Sequence, residues 1–124
     1  MPAEALEMIS VPGGFEGLIA ALPDDAATAR VRTFHHACAD VYRIQILDML
    51  RVQPLCVCII REVLGITKSK LSYHLKILQE AGMIAGTAKG TWIIYELTEF
   101  GELCASMNAR ISECPENKDL NGES

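Results

Sequence analysis

Two cysteines one residue apart, Cys56-Val57-Cys58, have the clearest capacity for chemistry in this 124-residue chain. Pro54 just before them predicts that a helix opens there, and first-turn N–H groups favour thiolate, the metal-binding and nucleophilic form. Thiolates select soft acceptors such as As(III), Sb(III), Cu(I) or Cd(II) over Mg or Ca. In a regular helix, residues i and i+2 point about 200° apart, so both sulfurs reach one ion only if the first turn is irregular. The pair therefore reads as a soft-metal or metalloid site, as a redox couple, or as structural thiol. As(III) takes three ligands, and Cys38, Cys104 and Cys114 are the other sulfurs. Cys38 and Cys104 fall on apolar stripes and read as small buried hydrophobes. Cys114, past the last predicted helix and beside Pro115, is the preferred third ligand, so the expected set is Cys56, Cys58 and Cys114. Five cysteines, an odd count with no secretory signal, do not make a disulfide framework.

A second set of residues carries hydrogen-bond donors. Thr67 is a good N-cap for a helix from Lys68 to Ala81, which Gly82 ends. At 100° per residue, Leu71, Leu75 and Leu78 form its core stripe. Ser69, Tyr73, Lys76 and Glu80 lie within about 40° of the opposite direction, with Lys70 and Ser72 on the flanks. The outward face is rich in donors and lacks acids until its far end, which suits insertion of the N-terminal half into a DNA major groove. The expected DNA-facing set is Thr67, Lys68, Ser69, Lys70, Ser72, Tyr73, His74 and Lys76, with Lys89 at a hairpin tip. His74 borders the core stripe and reads there as a hydrogen-bonded structural histidine ahead of a base-reading one.

The elements that must position these groups follow from periodicity. Residues 1–22, broken by Pro12-Gly13-Gly14, are expected to form an N-terminal arm with a turn or two of helix. A domain is expected over 23–113 and a flexible tail over 114–124. Pro23-Asp24-Asp25 starts a helix whose stripe is Ala27, Val31, Phe34 and Cys38. A second helix, from about Asp40 to Arg51, buries Ile44, Leu47 and Leu50, and a third runs from Pro54 to Leu64, closed by Gly65. After the helix from Lys68 come two extended runs, Met83–Ala88 and Thr91–Leu97, around Lys89-Gly90. The last helix begins near Thr98 with Phe100, Leu103, Cys104, Met107 and Ile111 on one face. Two short helices joined by Gly65-Ile66-Thr67 and followed by a hairpin make a winged helix-turn-helix, mainly α with a two-stranded β wing.

Charge permits this reading. The net charge is −5, but residues 30–95 hold nine Lys/Arg against four Asp/Glu, between acidic ends. Phosphate contacts depend on such local charge rather than on the pI. No apolar run has the length of a membrane span, and Glu4 and Glu7 with no basic residue before Arg30 do not suit a secretory signal, so a cytoplasmic protein without membrane contact is expected.

From about Phe34 to Leu97 the sequence resembles the ArsR (arsenic-repressor) family of winged-helix regulators. The resemblance rests on Ala39-Asp40, Arg43-Ile44 and Ile46-Leu47, on Leu55-Cys56-Val57-Cys58, and on the unbroken string Leu64 to Leu78. It continues through Glu80-Ala81-Gly82-Met83-Ile84, Gly90-Thr91-Trp92 and Tyr95-Glu96-Leu97. It implies a homodimer on a partly palindromic operator in duplex DNA, repressing transcription until an inducer arrives. It also implies that the first and last helices form the dimer interface, which matches the unpartnered stripes Val31 and Phe34, and Phe100, Leu103, Met107 and Ile111. In that family a Cys-Val-Cys at this position binds arsenite, usually with a third cysteine three residues later. That place is Arg61 here, and Ile59 replaces the frequent acid. A zinc site of Asp/His pairs on the last helix is not expected, because 98–112 contains neither residue. No cofactor is required by this reading; As(III) or Sb(III) would act as inducer. The alternatives are a thiol-based redox regulator and a winged-helix protein-interaction module. A small thiol enzyme is disfavoured, since the chain has neither a CxxC nor a Gly-rich anion loop.

Overall fold

The structure, a computed structural model, describes residues 1–116. The outer part of the expected tail, 117–124, lies outside the described residues. The chain divides into two compact units, Met1–Arg32 and Thr33–Ser124, whereas the sequence places the boundary after residue 22. The first unit holds α1 (Ala3–Glu7), α2 (Gly14–Ala21) and the start of α3 (Asp25–Ala37). Gly13 precedes α2 at φ +87°, and a Cβ at Gly17 would strike the Pro12 carbonyl, so the Pro-Gly-Gly break turns the chain tightly into α2. Neither α1 nor α2 buries a residue.

The second unit contains α4 (Val41–Val52), β1 (Leu55–Cys56), α5 (Val57–Leu64), α6 (Lys68–Glu80), β2 (Ile84–Lys89), β3 (Trp92–Leu97) and α7 (Glu99–Glu113). Asp40 caps α4: its Oδ1 accepts from the amides of Tyr42 at 2.8 Å and Arg43 at 3.2 Å. Gly65, left-handed at φ +65°, ends α5, and Thr67 Oγ1 accepts from the Lys70 amide to start α6. These two caps set the turn between the helices. Ile46, Leu47, Ile60, Leu71, Leu78 and Met83 are fully buried and join α4, α5 and α6 in one core. Among the described residues, no helix is long and apolar enough to cross a membrane.

The wing is a three-stranded antiparallel sheet in the order β1-β3-β2, not the two-stranded hairpin read from sequence. Leu55 pairs with Tyr95 and Cys56 with Ile94, so the residues expected to begin the third helix form an edge strand instead. Two residues are too few to show an alternating pattern. Lys89 pairs with Trp92, leaving Gly90-Thr91 as a two-residue loop. Gly90 has φ +62° and, among the described residues, no non-glycine residue has positive φ, so Thr91 does not, the pattern of a type II′ hairpin. Thr98 ties the wing to α7: its hydroxyl donates to the Gly82 carbonyl and accepts from the Gly101 amide at 3.0 Å. A Cβ at Gly101 would collide with the Met83 carbonyl, so only glycine allows this approach.

Candidate nucleic-acid interface and thiol site

Along α6, Leu71, Leu75 and Leu78 are buried, as the helical period requires. Thr67, Lys68, Ser69, Lys70, Ser72, Tyr73 and Lys76 are all exposed, and Tyr73 leaves 61% of its surface open. Lys89, at the end of β2 beside the hairpin loop, is exposed as well. The helix and the wing tip thus present donors with no acid in the first turn of α6. Lys76 makes an exposed contact of 3.9 Å with Glu80 one turn on, an ion pair of little energetic weight that leaves the ammonium available.

His74 departs from the expected DNA-facing set. It is 4% exposed, and its Nδ1 lies 3.1 Å from an Arg43 terminal nitrogen and 3.8 Å from Asp40 Oδ1. It faces inward because it borders the leucine stripe, so it cannot touch a base edge. Burial holds its pKa below the ordinary histidine value; Asp40 opposes this shift, while Arg43 and Lys70 add to it. Sequence reasoning also missed two supporting residues on α4. Arg43, itself buried, donates from Nε to the Ala37 carbonyl at 2.8 Å and from a terminal nitrogen to the His36 carbonyl at 3.3 Å. Tyr42 lies beside His74, and the Lys70 ammonium sits 4.7 Å from the Tyr42 ring centre, a cation–π contact that orients one of the outward lysines. The arginine three residues after the Asp40 cap was the available signal for the first. Nothing in the sequence pointed to the second.

The cysteine pair meets the geometric condition set by its spacing. Cys56 has extended backbone (φ −76°, ψ 156°) as the residue before α5, while Cys58 lies in the first turn. This irregular start turns both sulfurs to one side, and their Sγ atoms are 2.6 Å apart. Cys56 is buried and Cys58 exposed. The Cys58 thiol beside Cys56 and the backbone amide of Ile59 lower the Cys56 pKa, while sharing the proton with Cys56 raises that of Cys58. An open groove of about 340 Å³ runs from the pair to the wing, lined by Arg61, Lys68, Trp92 and Ile93 among others. Among the described residues, no third His, Cys, Asp or Glu joins the two cysteines in a metal-sized cluster. Cys114 therefore does not complete the site within one chain. It caps the far end of α7, a helix that starts against Met83 and runs along α4, and it is exposed there. Cys104 is buried as expected and Cys38 only half-buried; burial raises both pKa values, that of Cys104 to about 11 with a further contribution from Cys38.

The expected interface residues divide by exposure. On α7, Leu103, Met107 and Ile111 are 59%, 41% and 62% exposed, forming an uncovered apolar stripe. Phe100 is half-buried and packs against the core. On α3, Val31 is exposed and Phe34 half-buried.

Comparison with known proteins agrees with this architecture. Residues 40–85 match the family model described as bacterial regulatory protein, arsR family. The arsenical resistance operon repressor of Bacillus subtilis is 44% identical over 64 residues, 51% of this chain and 61% of that protein. The chain thus spans less than two thirds of the length of this relative. The HTH-type transcriptional regulator MJ1325 of Methanocaldococcus jannaschii is 34% identical over 64 residues, 51% of this chain and 72% of its own length. Among solved structures, the homodimeric winged helix-turn-helix domain of Mb0332 from Mycobacterium bovis superposes with a TM-score of 0.65 at 26% identity, covering 77% of this chain and 94% of that one. These relatives are regulators of transcription rather than enzymes. With the cap-and-turn between α5 and α6, the donor-rich α6 and the glycine-looped wing, they establish that the chain belongs to the ArsR family of winged-helix transcriptional regulators.

Proposed function

We propose that the chain is a homodimeric, cytoplasmic repressor that inserts α6 into the major groove of a duplex operator and leaves it when a thiophilic metalloid such as As(III) or Sb(III) binds Cys56 and Cys58. In this reading Thr67, Lys68, Ser69, Lys70, Ser72, Tyr73 and Lys76 contact phosphates and base edges, and Lys89 reaches the backbone from the wing. The dimer forms through Val31 and Phe34 of α3 and through Phe100, Leu103, Met107 and Ile111 of α7; of these, Val31, Leu103, Met107 and Ile111 are exposed apolar side chains that a partner would cover.

One observation carries the metalloid reading: two sulfurs 2.6 Å apart at the start of α5, the helix whose C-cap leads directly into α6. Replacing that contact by bonds to a common ion spreads the sulfurs and changes the first turn of α5, and with it the seating of α6. A coupling of about 1–3 kcal/mol corresponds to a severalfold to hundredfold loss of operator affinity. The test is fluorescence anisotropy on duplex from upstream of the chain's own gene, titrated with arsenite. Release is expected for the parent and not for Cys56→Ser or Cys58→Ser, with DNA affinity retained in both variants. Equal release of the parent and the double variant would move the sensor elsewhere.

The same closeness supports a second reading, in which peroxide oxidises the two thiols to a disulfide with formation of two waters. Reversible release by peroxide, with no response to arsenite, would favour it.

A further inference from the structure

The groove beside Cys56 and Cys58 carries features that two sulfurs alone do not require. Arg61 stands where the resembling family usually has its third cysteine, and it lines the groove with Lys68. Its Nε is held by the Ile66 carbonyl at 3.3 Å, and neither cation forms an ion pair among the described residues. The wing side is apolar and open: Trp92 is 62% exposed and Ile93 46%. A volume of about 340 Å³ is within the range of small-molecule sites. As(III) held by two cysteines lacks one ligand, and no third protein donor is grouped with them among the described residues.

We propose that this groove seats a low-molecular-weight thiol bearing carboxylates, whose sulfur supplies the third bond to As(III) while Arg61 and Lys68 receive its carboxylates. The inference rests on the metalloid reading above and deepens it. Arsenous acid exchanges three As–O bonds for three As–S bonds, two to the protein and one to the small thiol. The three thiol protons leave with the three hydroxides as water, and arsenic remains trivalent. Guanidinium matches a carboxylate through paired donors, and Trp92 with Ile93 covers the apolar part of the ligand. The occupant would also neutralise Lys68 at the start of α6 and fill the space beside the wing, so the co-ligand itself opposes DNA binding.

The experiment measures arsenite affinity of the DNA-free protein by native mass spectrometry, with a phosphine as the reductant. Glutathione and 2-mercaptoethanol are compared at equal concentration. The expected product is one arsenic and one glutathione per protomer, with arsenite bound about tenfold more tightly than with 2-mercaptoethanol, a difference of about 1.4 kcal/mol. Arg61→Gln should bring that ratio close to one, and Arg61→Lys should restore part of it. A glutathione preference that persists in Arg61→Gln overturns the proposal. So does arsenite binding that is equally tight without added thiol and yields no glutathione adduct; Cys114→Ser would then identify a protein sulfur as the third ligand. Absence of arsenite binding under every thiol condition overturns the metalloid reading itself, and this inference with it.

Discussion

Arg43 donates from a terminal guanidinium nitrogen to Nδ1 of His74 across 3.1 Å, joining the start of α4 to the inner face of α6. Arginine has no acceptor, so the Nδ1 of His74 must be unprotonated and the neutral ring carries its hydrogen on Nε2. The 3.8 Å approach of Asp40 is then a polar contact rather than an ion pair. Arg43 also holds the carbonyls of His36 and Ala37, so one buried side chain links the end of α3, the start of α4 and α6. The helix proposed to enter the major groove is anchored from behind by this group.

Arg43→Met should remove the donor while keeping most of the buried volume. The Ala37 carbonyl and a ring nitrogen would be left without their partner, each buried unsatisfied group costing about 1–3 kcal/mol, while the His36 carbonyl keeps the Ala39 amide. A loss of about 3 kcal/mol in urea unfolding is expected, together with weaker operator binding. Unchanged stability would show that these contacts have no net weight.

His74 makes stability depend on pH. Its folded pKa lies below the ordinary 6.5, because burial with Arg43 and Lys70 nearby outweighs the attraction of Asp40. Below the ordinary value the unfolded chain takes up a proton that folded His74 refuses, so unfolding becomes easier as pH falls. The stabilisation is complete above about pH 6.5 and decreases below it, until the folded histidine also protonates. In a series of urea titrations from pH 8 to pH 5, His74→Gln should flatten this slope relative to the parent. A parent with no slope would contradict the neutral assignment.

Lys70→Ala combined with Lys76→Ala should weaken operator binding and make it less salt-sensitive. Each lost phosphate contact reduces the slope of log K against log salt by about 0.9, so a reduction near 2 is expected for the pair. Equal affinity and slope in parent and variant would remove these lysines from the interface.

Leu103→Glu with Met107→Glu tests the uncovered stripe of α7. Both side chains are exposed in the single chain, so charge there costs little in the monomer, but burying it against a partner costs several kcal/mol unless it is paired. Analytical ultracentrifugation should show a folded monomer. An unchanged dimer would take this face out of the interface.

Much of this was legible in one dimension. The leucine stripe of α6, its Thr67 cap, the Gly65 stop and the run Phe100 to Ile111 are local regularities, set by helical period and by backbone preferences within a few residues. The donors of α6 were legible for the same reason, because placing the leucines inward places Ser69, Tyr73 and Lys76 outward. Only tertiary structure could decide the rest. Strand β1 exists because Leu55 and Cys56 meet β3 some forty residues later, and that pairing delays the start of α5 until Val57, which turns the two sulfurs to one side. His74 sits on the edge of a stripe, where angle alone leaves inside and outside open; Arg43 from another helix draws it in. Cys114 stood out by sequence as the free third sulfur, but the course of α7 carries it away from the pair and leaves Arg61 and Lys68 beside the groove. Periodicity reports which face of an element is apolar. Which groups from distant elements then meet depends on how those faces pack.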